Sequence, residues 1–131
     1  MISPDQDLFN YFYHISQAKD YETYDYLPMA NEPVEYPFVV INYVQNVGGA
    51  TKTELTGALH LTIDVWGSAR QRITVEEMGT HFYKEAIGEI LTDSYRYFGH
   101  AQDQSKTLTV DTSVENTIFQ RCTIELELQI I

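Results

Sequence analysis

The stretch "IFQRCTIELELQI", Ile118 to Ile130, alternates from end to end. Ile118, Gln120, Cys122, Ile124, Leu126, Leu128 and Ile130 share one face, and Phe119, Arg121, Thr123, Glu125, Glu127 and Gln129 share the other. Successive side chains of a strand point to opposite faces, so this pattern predicts a strand with one face on a core and one in water. Gln120 is the one polar residue on the apolar side. Cys122 lies on that side too, which predicts a packed and unreactive thiol.

Working back from this strand, Leu55 to Trp66 repeats the period. Leu55, Leu59, Leu61, Ile63 and Val65 face one way, and Thr56, Ala58, His60, Thr62, Asp64 and Trp66 the other. Phe38 to about Val47 reads as a third strand, apolar on both faces at its start, and so either central in the sheet or covered from outside. The polar connection "NVGGATKTE", Asn46 to Glu54, makes an antiparallel hairpin the natural pairing. Upstream, Pro28, Pro33 and Pro37 push Leu27, Glu32 and Tyr36 out of helical conformations. Asp20 to Glu35 is therefore extended and turn-rich, with a short strand expected at Tyr24 to Leu27.

Two helices complete the set. From Asp5 to about Lys19, Leu8, Tyr11, Phe12 and Ile15 form one stripe, behind Ser3 as N-cap and Pro4 at the first turn. Asp5 and Asp7 suit the positive end of that helix. "GSARQRITVEEMGTHFYKEAIGEIL" predicts one long helix ending near Thr92. Its stripe is Val75, Met78, Phe82, Ala86 and Ile90, and Ser68 with Gln71 or Thr74 with Glu77 could form a capping box. After "YRYFGH" the chain turns strand-like, with Leu108 and Val110 alternating in "TLTVD". The expected fold is a single α+β domain over 1–131: a mostly antiparallel sheet, one long helix packed on one face, and an additional N-terminal helix.

Composition narrows the function. The 131 residues carry 19 acids against 8 bases, a net charge of −11. With no basic run, tight binding to nucleic-acid phosphates or anionic membranes is disfavoured. Cys122 is the lone cysteine, so no internal disulfide forms. The start of the chain does not read as a signal peptide and no apolar run is long enough to span a bilayer, so a cytoplasmic origin is expected. Ten tyrosines suit contact surfaces.

Catalytic templates find little purchase. His60 and Asp64 lie about 13 Å apart along one strand. His81 and Glu85 could pair on the main helix. Glu76-Glu77 and the acids of "IELELQ" read as solvated faces. His14, His60, His81 and His100 stand on different elements, and no metal, cofactor or catalytic residue is expected. Trp66, closing its strand, reads as a core lid or as a subunit contact.

"EYPFVVI", Glu35 to Ile41, and "DVWGSAR", Asp64 to Arg70, are the most characteristic pieces. With the late strands they make Tyr24 to Leu128 resemble the tail-completion and tail-terminator proteins of long-tailed bacteriophages, also described as head-tail joining or minor capsid proteins. The resemblance implies a structural neck protein without enzymatic activity. It would form a homo-oligomeric ring, usually hexameric, that caps the tail tube and docks it to the head connector. DNA would pass through without specific binding. Tyr36, Phe38, Asn46, Gly48, Gly49, Lys52 and Trp66 are then the expected subunit or partner contacts. Rival readings are another neck or tail component, such as a connector adaptor or tube protein, and a small α+β ligand-binding module or enzyme.

Overall fold

The computed structural model describes residues 2–29, 31–47 and 57–131, without the side chains of Tyr43 and Val47. Helix α1, Pro4–Ala18, opens with Ser3 accepting a hydrogen bond from the Gln6 N–H through its hydroxyl, as the sequence predicts. Strand β1 is Glu22–Tyr24, slightly earlier than expected. Strands β2, Phe38–Val47, and β3, Ala58–Ser68, form the antiparallel hairpin, with an irregularity between Ile41 and Val44. Helix α2 is Arg72–Glu85. Four strands follow: β4, Gly88–Leu91; β5, Arg96–Gly99; β6, Ser105–Asp111; and β7, Phe119–Ile130.

All seven strands belong to one sheet: six run in the order β1-β2-β3-β7-β5-β4, and β6 lies off this path, paired with β7. Only β1 against β2 is parallel. The alternating strand β7 is central. Along its whole length β7 pairs with β3, and its other edge is shared by β6 near its start and β5 near its end. Gln104 occupies the gap between those two strands. Its amide Nε2 donates to the carbonyls of Ala86 and Glu127, and its Oε1 accepts from the Glu127 N–H at 2.7 Å. A side chain thus replaces one rung of the ladder and also caps the end of α2.

The expected long helix is corrected. Two helices of similar length, 15 and 14 residues, share one face of the sheet. Helix α2 starts at Arg72. The Ser68–Gln71 pair forms the turn before it, with Gln71 Oε1 accepting from the Ser68 N–H at 2.9 Å. The helix stops at Glu85, because Gly88 adopts φ +96°, which costs other residues a steric penalty. "GEIL" then becomes strand β4. Ala86 and Ile90, assigned to the helical stripe by the sequence, are buried as expected but from outside a helix. "RYFG", Arg96–Gly99, expected ahead of the strands, is itself strand β5.

The core lies between the helices and the sheet. Leu8 and Phe12 from α1, with Val75, Met78 and Phe82 from α2, pack on the inward residues of β2, β3 and β7. Cys122 is fully buried, and desolvation pushes its thiol up to about 11. The two helices are tied by the Tyr11 hydroxyl, which donates to Glu85 Oε1 at 2.6 Å. Asp7 does more than meet the helix dipole. Its Oδ2 accepts from Thr92 Oγ1 at 2.6 Å and from the buried Tyr97 hydroxyl at 2.8 Å, which pins the β4–β5 hairpin beneath α1.

Candidate functional site

Both helices lie on one side, so the opposite face of the sheet is the molecule's open side. Phe38 and Val40 project there from β2, as Thr62, Asp64 and Trp66 do from β3 and Arg121 and Thr123 from β7. Yet Phe38 and Val40 are buried. The proline-punctuated segment between β1 and β2 supplies the cover. Leu27 stands over the cavity reached by Val40, Asp64 and Trp66, and Tyr24 and Tyr36 pack their rings on Phe38 at 5.7 and 5.2 Å. A strand apolar on both faces is thereby explained within one chain. Its helix side meets the core, and its other side meets its own preceding segment.

Across the middle of this face runs a polar cluster. Asp64 is only 5% exposed, although it lies on the side without helices. Its Oδ1 accepts from Arg121 Nε at 2.9 Å and Thr123 Oγ1 at 2.7 Å, and its Oδ2 from Asn42 Nδ2 at 2.8 Å. One carboxylate therefore joins β2, β3 and β7. A buried charge is tolerable only when paired and hydrogen-bonded, and this one meets both conditions. The Arg121 guanidinium also lies over the Trp66 ring, 4.8 Å from its centroid, a cation–π contact.

Beside the cluster is an apolar groove of about 320 Å³ between the crossing segment and the β6–β7 turn, with Leu27, Met29, Tyr36, Val114 and Phe119 among its walls. Leu27, Met29 and Val114 are exposed. Tyr36 stacks on Phe119 with centroids 5.4 Å apart. At the groove's edge, Asp111 Oδ1 accepts from the Ser113 N–H and hydroxyl, and those bonds hold its carboxyl below the usual carboxylate range.

The expected contact residues divide into three groups. Tyr36, Phe38 and Trp66 come together. Phe38 is the cross-strand partner of Trp66, and the Tyr36 carbonyl accepts from Gln71 Nε2 at 3.1 Å. Within that trio Phe38 is an internal support, whereas Tyr36 and Trp66 retain accessible surface. Asn46 lies apart, its Nδ2 donating to Asp5 Oδ1 at 3.4 Å. Gly48, Gly49 and Lys52 lie outside the described residues.

The titratable groups pair differently from the sequence expectation. His81 contacts the Tyr21 hydroxyl and stacks on its ring, while Glu85 serves Tyr11, so the His81–Glu85 pair does not form. His60 Nε2 meets Glu127 Oε1 at 3.3 Å. Glu76 is bound by Lys106 Nζ at 2.6 Å and by Thr80 Oγ1. The lysine bond is the larger cause holding its carboxyl below the usual range. Among the described residues no group of three or more His, Cys, Asp and Glu is placed to hold a metal ion, and no helix is long and apolar enough to cross a membrane.

Sequence reading missed Arg121 and the groove residues Leu27, Met29, Val114 and Phe119. Arg121 was visible as the single cation in the alternating strand. Its link to Asp64 and Trp66 depends on the β3–β7 register, which joins residues more than fifty positions apart and leaves no local trace. No family model, no curated protein and no solved structure matches this chain.

Proposed function

We propose that this chain is a structural subunit of a bacteriophage neck, assembling into a ring that caps the tail tube and joins it to the head connector. One observation carries the reading. The two pieces of sequence on which the resemblance rests, "EYPFVVI" and "DVWGSAR", are 23 positions apart between Ile41 and Asp64, yet they form one corner of the molecule. Phe38 pairs with Trp66, Val40 with Asp64, and Gln71 bonds Tyr36. That corner borders the groove with the exposed Leu27 and Met29, and buried aromatic anchors beside exposed apolar residues suit a subunit contact.

Closed rings require each subunit to offer two different surfaces. The aromatic corner is one of them in this reading, and the "NVGGATKTE" stretch between β2 and β3 is assigned the other, a partner-docking role. The net charge of −11 suits a channel wall that DNA passes without sticking. Enzymatic activity plays no part, and the hexamer, the tube and the connector are the partners.

The test uses phage production. Particles made with residues 46–53 replaced by an Asn-Gly turn should contain folded protein, but infected cells should accumulate filled heads and separate tails. Labelled chain should mark the neck of intact particles. Normal yields of joined particles would overturn the docking role. Label along the whole tail would favour a tube protein instead.

A further inference from the structure

We infer that the apolar groove between the crossing segment and the β6–β7 turn is a docking site for an arginine-bearing apolar segment of another protein. Two carboxylates line the groove, one on each bank: Glu32 on the crossing segment and Asp111 at the end of β6. Each is held by neutral donors of its own bank. Glu32 Oε2 accepts from the Tyr26 hydroxyl at 2.9 Å, and its Oε1 from the Met29 N–H at 3.3 Å. Both Ser113 bonds, at 2.9 and 2.6 Å, fall on Asp111 Oδ1, which leaves Oδ2 open among the described residues.

These charges are fixed in place but not cancelled. Among the described residues neither carboxylate belongs to an ion pair, in contrast to Glu76, Glu89 and Glu127. Arg121, the cation whose charge reaches Asp111, spends its Nε on Asp64 and its face on the Trp66 ring. Arg121 is already balanced by Asp64, so Glu32 and Asp111 give the groove a net negative charge within a chain of −11. An anion is repelled here, and a cation supplies what the two banks lack. A second copy of the chain brings −11 of its own and is the poorer occupant.

The walls add a second requirement. Leu27, Met29 and Val114 are 59, 68 and 50% exposed, and a bare ammonium ion would leave them in water. An arginine lays its aliphatic stem along such surface and keeps its charged head at the rim. Its planar head also stacks on aromatic faces, and Tyr36 and Phe119 stand in the groove wall. Apolar residues beside the arginine cover Leu27 and Met29, whose unbranched thioether adapts to the shape of a partner.

Binding is a property of the free chain and does not rest on the neck reading, in which such a segment would belong to the tube or the connector. Calorimetry and the indole N–H signal of Trp66, the single tryptophan, are read while the full chain is titrated with acetyl-GLRVLRG-amide. The peptide should bind saturably, and more weakly as salt rises. Acetyl-GLQVLQG-amide lacks the charge and acetyl-GSRGSRG-amide lacks the apolar residues, and each should bind at least about tenfold more weakly. Glu32→Gln and Asp111→Asn keep the shape of the banks and should each lower affinity about threefold, as expected for an exposed ion pair. Asp93→Asn, an equal loss of charge at the exposed β4–β5 turn, should change nothing. Circular dichroism checks that each variant is folded. No saturable binding at about 1 mM peptide, equal binding of the three peptides, or equal effects of Asp93→Asn and Asp111→Asn would overturn the inference. Those results would leave the neck reading standing, whereas labelled chain absent from the neck would remove that reading and leave this site.

Discussion

Gly79 lies in the middle of α2, where glycine costs a helix about 1 kcal/mol relative to alanine. On propensity alone Gly79→Ala should stabilise. The packing reverses the sign, because a Cβ there would stand 2.5 Å from the Cys122 sulfur on β7. Both groups are buried, and overpacking of this kind costs about 1–3 kcal/mol. Gly79→Ala should therefore lower stability in urea, and Cys122→Ala, which removes the sulfur, should make the same change neutral or favourable. A stabilising Gly79→Ala in the unmodified chain would show that the helix can move off the sheet. The thiol has a second consequence. Its folded value of about 11 lies above the ordinary 9.0, so it favours the fold fully below pH 9 and loses that contribution as pH rises through 11. Thermal midpoints should decline across this interval, and less steeply in Cys122→Ala. Tyr11 and Tyr97, both raised first by burial and then by their bonds to Glu85 and Asp7, act in the same direction from pH 10 upward.

At the scale of elements, Gln104 does the work of a missing strand segment. Gln104→Ala would strip partners from the Ala86 carbonyl and from both backbone groups of Glu127. Unsatisfied buried groups cost about 1–3 kcal/mol each, reduced where water can enter. A loss of about 2–3 kcal/mol is expected, together with faster amide exchange at Glu127. A loss under half a kcal/mol would mean that water replaces the amide at no cost. The sequence could not announce this residue, since its partners are backbone atoms of distant elements. What it did announce were the elements with a clean period. Helix α1, the β2–β3 hairpin and β7 were legible because their burial follows local spacing. Strand β4 was not, because Ile90 continues a helical stripe in sequence while Gly88 turns the chain. The candidate site was half legible. Tyr36, Phe38 and Trp66 carry enough aromatic area to draw notice, whereas Arg121 and Asp64 acquire their roles only through the β3–β7 register.

At the scale of the whole molecule, the net charge of −11 competes with four ion pairs found among the described residues. Salt weakens both, and the sign of its effect shows which is larger. Arg96–Glu89 and His60–Glu127 lie in or near solvent, where such pairs are worth about 0–1 kcal/mol. Arg121–Asp64 and Lys106–Glu76 are partly sheltered and screened less. The uncompensated acids spread self-repulsion over the entire surface, and that repulsion is long-ranged and easily screened. Raising sodium chloride from about 20 mM to about 300 mM shortens the screening length from roughly 20 Å to about 6 Å. The thermal midpoint should then rise by about 2–5 °C, equivalent to about 1 kcal/mol. A midpoint that falls with salt would place the balance of stability in the ion pairs.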